Sequence, residues 1–165
     1  MAISDFNLTK ELLHDYFEYK DGDLYWKITY ASRKAGTKCG CVDINGYSYT
    51  MFKGKNRKNH RLIFIMFYGY CPKIIDHIDG NKANNTIENL RKATKQKNGF
   101  NSKLSKSNKS GVKGVSWSES RKKWVVQLSV NGKNKSFGRY NDIDYAIFVA
   151  NAMRNKYHKE FARNK

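Results

Sequence analysis

The stretch Ile75-Asp76-His77-Ile78-Asp79-Gly80-Asn81, followed by Asn84-Asn85, Asn89-Leu90-Arg91, Asn98 and Asn101, gathers the side chains of this sequence that can do chemistry. An imidazole beside a carboxylate pairs a general base with a metal ligand, and a bend or loop lets such neighbours converge where an extended segment would send them to opposite sides. Hydrolysis of a phosphodiester needs those parts: a base to deprotonate water, and a hard divalent cation to neutralise the phosphate and stabilise the leaving oxygen. Asp and Asn oxygens suit Mg²⁺ or Mn²⁺. The whole segment from Ile74 to Asn101 is too polar to make its own core and too rich in side-chain donors and acceptors for a featureless loop.

The elements around this segment must hold it. Thr9 is placed to cap a helix of about two turns whose apolar face is Leu12, Leu13, Tyr16 and Phe17. After an Asp21-Gly22 turn, strand-type runs follow at Leu24–Ile28, Cys41–Ile44 and Tyr47–Phe52, the last two separated by Asn45-Gly46, a two-residue hairpin signal. His60 to Tyr68 is apolar on nearly every side and ends at Gly69 and Pro72, so it reads as a buried helix with a glycine stop, although a central strand shares the pattern. Thr94 reads as the N-cap of a short helix carrying Asn98. Residues 102–110, with three Lys, four Ser and no acid, have the composition of a solvated tether lying along a phosphate backbone.

Beyond the tether, Gly114–Ser118, Lys123–Val130 and Lys135–Tyr140 read as three strands. They precede a helix capped by Asn141 or Asp142, in which Ile143, Ala146, Ile147, Ala150, Met153 and Tyr157 recur at helical spacing. Strand alternation points Trp124, Val126, Leu128 and Val130 toward that helix and Lys123, Val125, Gln127 and Ser129 away from it. A sheet with one polar, cationic face can enter a DNA groove.

Charge says where a polyanion would be gripped. The 165 residues carry a formal net charge of +18, but residues 1–90 hold 13 basic and 10 acidic side chains, a net of +3, whereas residues 91–165 hold 19 and 4, a net of +15. A surface this basic attracts nucleic acid through phosphate neutralisation and counterion release. The longest apolar run, Leu62–Tyr68, is far short of a membrane span, and the N-terminus has no signal pattern, so a cytoplasmic protein that does not engage membrane is expected. Cys39, Cys41 and Cys71 are one ligand short of a zinc site and lack paired C-x-x-C spacing; they read as ordinary buried thiols in a reducing compartment.

Asp76-His77-Ile78-Asp79-Gly80-Asn81-Lys82-Ala83-Asn84-Asn85, then Asn89-Leu90-Arg91-Lys92-Ala93-Thr94, then Asn98, resembles the HNH endonuclease family in its phage and intron-encoded homing-type branch. The resemblance implies a ββα-metal fold in which His77 is the general base, Asp76 and Asn98 are metal ligands, and Asn89 is the central asparagine that pins the loop between the strands. Asn98 stands where many relatives have His, which leaves an oxygen-only shell and favours Mg²⁺, with Mn²⁺ as the alternative. His60-Arg61 matches the family's helix before the site, where Arg61 either touches phosphate or serves the helix start.

A second resemblance covers residues 111–163. Gly111-Val112-Lys113-Gly114-Val115-Ser116-Trp117, Lys123–Leu128, Phe137-Gly138-Arg139-Tyr140 and the alanine-bearing helix look like the plant ethylene-response-factor (AP-two) DNA-binding domain. Its DNA-facing positions fall on Lys113, Ser116, Ser118, Lys123, Gln127 and Ser129; Ser stands where the plant domain has Arg, so the plant target does not transfer. Trp117 and Trp124 are expected in core packing rather than stacked on DNA.

Taken together the expectation is an α+β chain. A helix and small sheet occupy residues 1–58, an HNH core 59–101, a basic linker 102–110 and an AP-two-type domain 111–165. Its implied function is Mg²⁺-dependent hydrolysis of double-stranded DNA by a monomer, nicking or cutting both strands, in a phage homing-type enzyme working in its host's cytoplasm. The alternative is a non-catalytic, sequence-specific DNA-binding regulator.

Overall fold

The computed structural model describes residues 8–105 and 107–162. By its internal contacts the chain separates into two compact units, Met1–Ala93 and Thr94–Lys165, each with a core of its own. The basic stretch 102–110 falls within the second unit, and residues 8–58 share one core with the segment that follows them. Among the described residues no helix is long and apolar enough to cross a membrane.

In the first unit, α1 (Lys10–Tyr16) starts at the expected cap, the Thr9 hydroxyl accepting the Leu12 N–H at 3.2 Å. Phe17, expected on the helix face, instead opens strand β1 (Phe17–Lys20), which pairs antiparallel with β2 (Asp23–Trp26) across Asp21-Gly22. Its side is set by cross-strand pairing rather than helical period: Phe17 lies opposite Trp26, with ring centroids 4.8 Å apart.

A second sheet has the antiparallel order β3 (Cys41–Val42), β4 (Ser48–Phe52), β5 (Lys55–Lys58). Asn45-Gly46 does not make the expected two-residue turn. The Asp43 carboxylate accepts the N–H groups of Asn45 and Tyr47 at 2.9 and 2.8 Å and closes a longer loop. Strand β5 is an addition to the sequence reading, because Lys55-Asn56-Arg57-Lys58 lacks apolar alternation and its turn, Lys53-Gly54, places a lysine at φ 49°.

Helix α2 (Asn59–Tyr68) confirms the helical alternative for the apolar run and stops at Gly69, whose N–H bonds to Ile65 O at 2.8 Å. Its Leu62, Ile63, Phe64, Ile65 and Met66 are buried with Leu13, Leu24, Trp26 and Phe52. The start of α2 is clamped to β4: Asn59 Oδ1 accepts the Thr50 hydroxyl at 2.7 Å, and its Nδ2 donates to Ser48 Oγ at 2.8 Å and Cys39 O at 3.2 Å. Buried amide groups need such partners, and these fix where His60 can stand.

The chemistry-bearing segment is a hairpin of β6 (Ile75–His77) and β7 (Leu90–Lys92), joined by a loop that ends in a 3₁₀ turn, Ile87–Asn89. The β1–β2 turn props that loop. Tyr19 Oη accepts the Ile87 N–H at 3.1 Å, and Gly22, at φ +89°, comes so close that a Cβ on it would lie 2.8 Å from Thr86 N. Gly22→Ala should therefore destabilise the first unit by at least about 2 kcal/mol, through left-handed strain and a backbone clash, measured as a shift in the urea midpoint.

In the second unit, α3 (Lys95–Phe100) is capped by Thr94, whose hydroxyl accepts the Lys97 N–H at 3.2 Å. A sheet of β8 (Val115–Ser118), β9 (Lys123–Val130) and β10 (Lys133–Tyr140), in that spatial order, packs on α4 (Ile143–His158). Asp142 caps α4 by accepting the Tyr145 N–H at 2.6 Å. Val115, Val126, Ala146 and Ala150 form its buried centre, with Trp124, Phe137, Tyr140 and Ile147 packed around them. Trp117 pairs with Trp124 across the strands, edge-on at 5.1 Å, on the same side of the sheet as Val115 and Val126.

Candidate active site

Asp76 and His77 occupy consecutive positions on β6, opposite Arg91 and Leu90 on β7, and both side chains are buried. Arg91 holds Asp76 through one oxygen: Nη2 lies 2.8 Å and Nε 2.9 Å from Oδ2. A buried carboxylate stays ionised at tolerable cost only with such a charge-assisted partner.

The His77 ring is fixed on two sides. Its Nε2 donates to Asn85 Oδ1 at 3.1 Å, which leaves the ring lone pair on Nδ1, and its ring stands nearly perpendicular to that of His60, with centroids 5.0 Å apart. Burial lowers the pKa of His77, outweighing the Asn85 bond and the negative charges of Asp79 and Asp76, so the ring is neutral near pH 7 and able to accept a proton.

Asn89 organises the loop between the strands. Its Oδ1 accepts the Asp79 N–H at 3.0 Å, and its Nδ2 donates to Asp79 Oδ1 at 3.0 Å and to Asn84 O at 2.8 Å. Asp79 also accepts from Asn81 N–H and Asn84 Nδ2, each at 2.7 Å. Burial opposes ionisation of Asp79, but these hydrogen bonds win and hold its carboxyl below the usual range. The run of Asx side chains thus ties the loop to itself, and Asn85 emerges from it as the orienting partner of His77, a role its place in the Asn84-Asn85 pair did not reveal.

His60 is driven down to about 3, by burial first and then by the charges of His77, Lys58 and Arg61. It is neutral in the folded chain, whereas an unfolded histidine titrates near its ordinary value of 6.5. Because the folded pKa is depressed, this contribution to stability is complete above about pH 6.5 and is lost progressively as pH falls toward 3. The loss is at most about 5 kcal/mol. Calorimetric unfolding of His60→Gln, compared with the parent between pH 7.5 and 4, should show a flatter acid limb.

The remaining sequence-derived candidates divide by unit. Arg61 is half-buried and donates to Pro72 O at 3.3 Å, tying α2 to the segment that leads into β6. Asn98 is exposed on α3, in the second unit. Lys113 lies outside the strands and donates to the carbonyls of Phe100 and Ser102.

On the sheet face turned away from α4, Ser118 sits opposite Lys123, and Ser116 opposite Val125; Gln127 lies opposite Ser136 and Ser129 opposite Asn134. Arg139 joins the Ser116–Val125 row because the register shifts between Ser136 and Arg139, around Gly138 at φ 123°. Plain alternation from Ser136 sends Arg139 to the opposite face, and the glycine inside a strand was the one signal of the bulge.

Residues 57–100, which include His60, Arg61, Asp76, His77, Asn89 and Asn98, match the family model described as HNH endonuclease. The chain is 38% identical over 118 residues to Protein 3.8 of Escherichia phage T7, covering 70% of this chain and 96% of that protein. It is 35% identical over 120 residues to the uncharacterized HNH endonuclease L560 of Acanthamoeba polyphaga mimivirus, covering 72% of this chain and 62% of that one. The chain carries an HNH endonuclease domain over these residues and is a homologue of the phage protein. No solved structure matches it. The HNH match ends at residue 100, so the β8–β10 sheet and α4 lie outside it.

The HNH segment offers a particular donor set. Among the described residues no three His, Cys, Asp or Glu side chains gather as a metal shell. Cys39 is buried and its thiol is pushed up to about 12 by that burial, which disfavours a thiolate ligand. One buried carboxylate with amide oxygens fits Mg²⁺, which binds through one or two carboxylates and keeps water and phosphate oxygens for the rest.

Proposed function

We propose that this HNH chain is a metal-dependent endonuclease of the phage homing type that hydrolyses phosphodiester bonds in double-stranded DNA. The observation that carries the reading is the buried, neutral His77, fixed by Asn85 beside the buried, Arg91-held Asp76. Asp76 and Asn98 are the residues that would hold Mg²⁺, or Mn²⁺. When bound, the cation supplies charge neutralisation at the phosphate and at the leaving oxygen.

His77 Nδ1 takes a proton from water; the water oxygen bonds to phosphorus as the bond to the 3′ oxygen breaks, that oxygen takes a proton from solvent to leave as a 3′ hydroxyl opposite a 5′ phosphate, and the imidazolium returns its proton to solvent. Asn85 keeps the accepting nitrogen on one side of the ring, and Asn89 keeps the loop that carries Asn85 in shape. The second unit, an AP-two-type module in this reading, holds the duplex through Lys123, Gln127, Ser116, Ser118 and Ser129, joined by Arg139, on one sheet face.

Supercoiled plasmid incubated with the purified chain in Mg²⁺ should be nicked or linearised, and EDTA should stop the conversion. Binding without strand scission across varied targets would instead identify a DNA-binding regulator.

A further inference from the structure

Tyr47 precedes β4, and its backbone is held by Asp43 at 2.8 Å. Its ring lies against both histidines of the site, with centroids 5.5 Å from His60 and 6.2 Å from His77. The same ring carries two ammonium groups: Lys58 Nζ is 3.6 Å and Lys82 Nζ 4.7 Å from its centroid. Lys58 ends β5, and Lys82 belongs to the loop after β6, so two separate elements deliver cations to one ring beside His77.

Such convergence is unfavourable without an anion. The groups whose charges bear on Lys58 are Asp43, which favours its ammonium, and Lys82 and Arg61, which oppose it; burial opposes it more strongly than any of these. Asp76, the other nearby carboxylate, is held by Arg91. Cation–π attraction to Tyr47 returns part of the cost. A phosphate bridging the two ammonium groups would return the rest.

We propose that Lys58 and Lys82, set in place by the face of Tyr47, form a clamp for a DNA backbone phosphate next to the one cleaved at His77. The proposal rests on the endonuclease reading for its ligand and deepens it: a grip of this kind fixes register on the duplex without reading sequence. Lys58 and Lys82 touch the phosphate; Tyr47 is a positioning residue acting through them.

The test is the salt dependence of binding of a short duplex to the full chain in EDTA, where cleavage plays no part. K58Q/K82Q should lower the slope of log K against log[salt] by about 0.9, the share of the one phosphate that the two lysines neutralise together, and the control K34Q/K55Q should lower it by less. Tyr47→Phe should keep the parental slope and Tyr47→Leu should lose it, although both remove the hydroxyl. An unchanged slope in K58Q/K82Q, with a parental melting temperature, overturns the clamp even if the parent cleaves DNA. A reduced slope supports it, and in a chain that never cleaves under Mg²⁺ only the nuclease reading falls.

Discussion

His77→Ala is expected to lower the rate of DNA cleavage about a thousandfold while leaving duplex affinity within about twofold. General-base catalysis by a positioned imidazole contributes about 10² to 10⁴, and two features place His77 near the upper part of that range. Its ring is buried, which lowers its pKa and favours the neutral form near pH 7, and Asn85 fixes the tautomer. Affinity should survive because the cations expected to grip DNA are other side chains, Lys123 and Arg139 on the sheet face and Lys58 and Lys82 over Tyr47, all of which the substitution leaves in place. The measurement is single-turnover cleavage beside equilibrium binding, with the melting temperature checked because His77 also packs on His60. Asn85→Ala should fall between parent and His77→Ala, since it leaves the base but frees its orientation.

The second large effect concerns grip. Lys123→Ala combined with Arg139→Ala should weaken duplex binding at least about tenfold near 0.1 M salt and lower the salt slope by about 2, as two phosphate partners would. Both side chains are exposed and lie on the sheet face away from α4, so their truncation leaves the Val115, Val126, Ala146 and Ala150 core intact. Lys113→Ala should differ, because its ammonium is engaged with the carbonyls of Phe100 and Ser102 and its loss acts on that loop first. Electrophoretic or fluorescence titration over several salt concentrations separates the two cases.

What the sequence revealed, and what it hid, follows the range of the interactions involved. Caps at Thr9, Thr94 and Asp142 and the helical run ending at Gly69 are local, each set within a few residues, and each stands where the sequence put it. The polar segment from Ile74 was legible as a site because His, Asp and Asn at that density have no use in a core.

Phe17 falls in a strand rather than the expected helix because a residue between the two satisfies both periods, and the decision belongs to Trp26, nine residues on. Strand β5 was invisible because its lysines pair by backbone and offer no apolar alternation. Partners that are distant in sequence were hidden for the same reason: Arg91 for Asp76, Tyr47 and His60 for His77, and Tyr19 for Ile87. Tyr47 was legible only as the start of a strand-type run, and its ring packs on the two histidines.

The central claim, that the His77 imidazole is the base of a phosphodiester hydrolysis, is tested most directly by chemical rescue. A His77→Gly chain, shown by its melting temperature to be folded, is given an end-labelled duplex and Mg²⁺ with and without added imidazole. Cleavage should be negligible without imidazole and should rise with imidazole concentration, following the neutral form of the free base. Cleavage by His77→Gly at the parental rate without imidazole would contradict it.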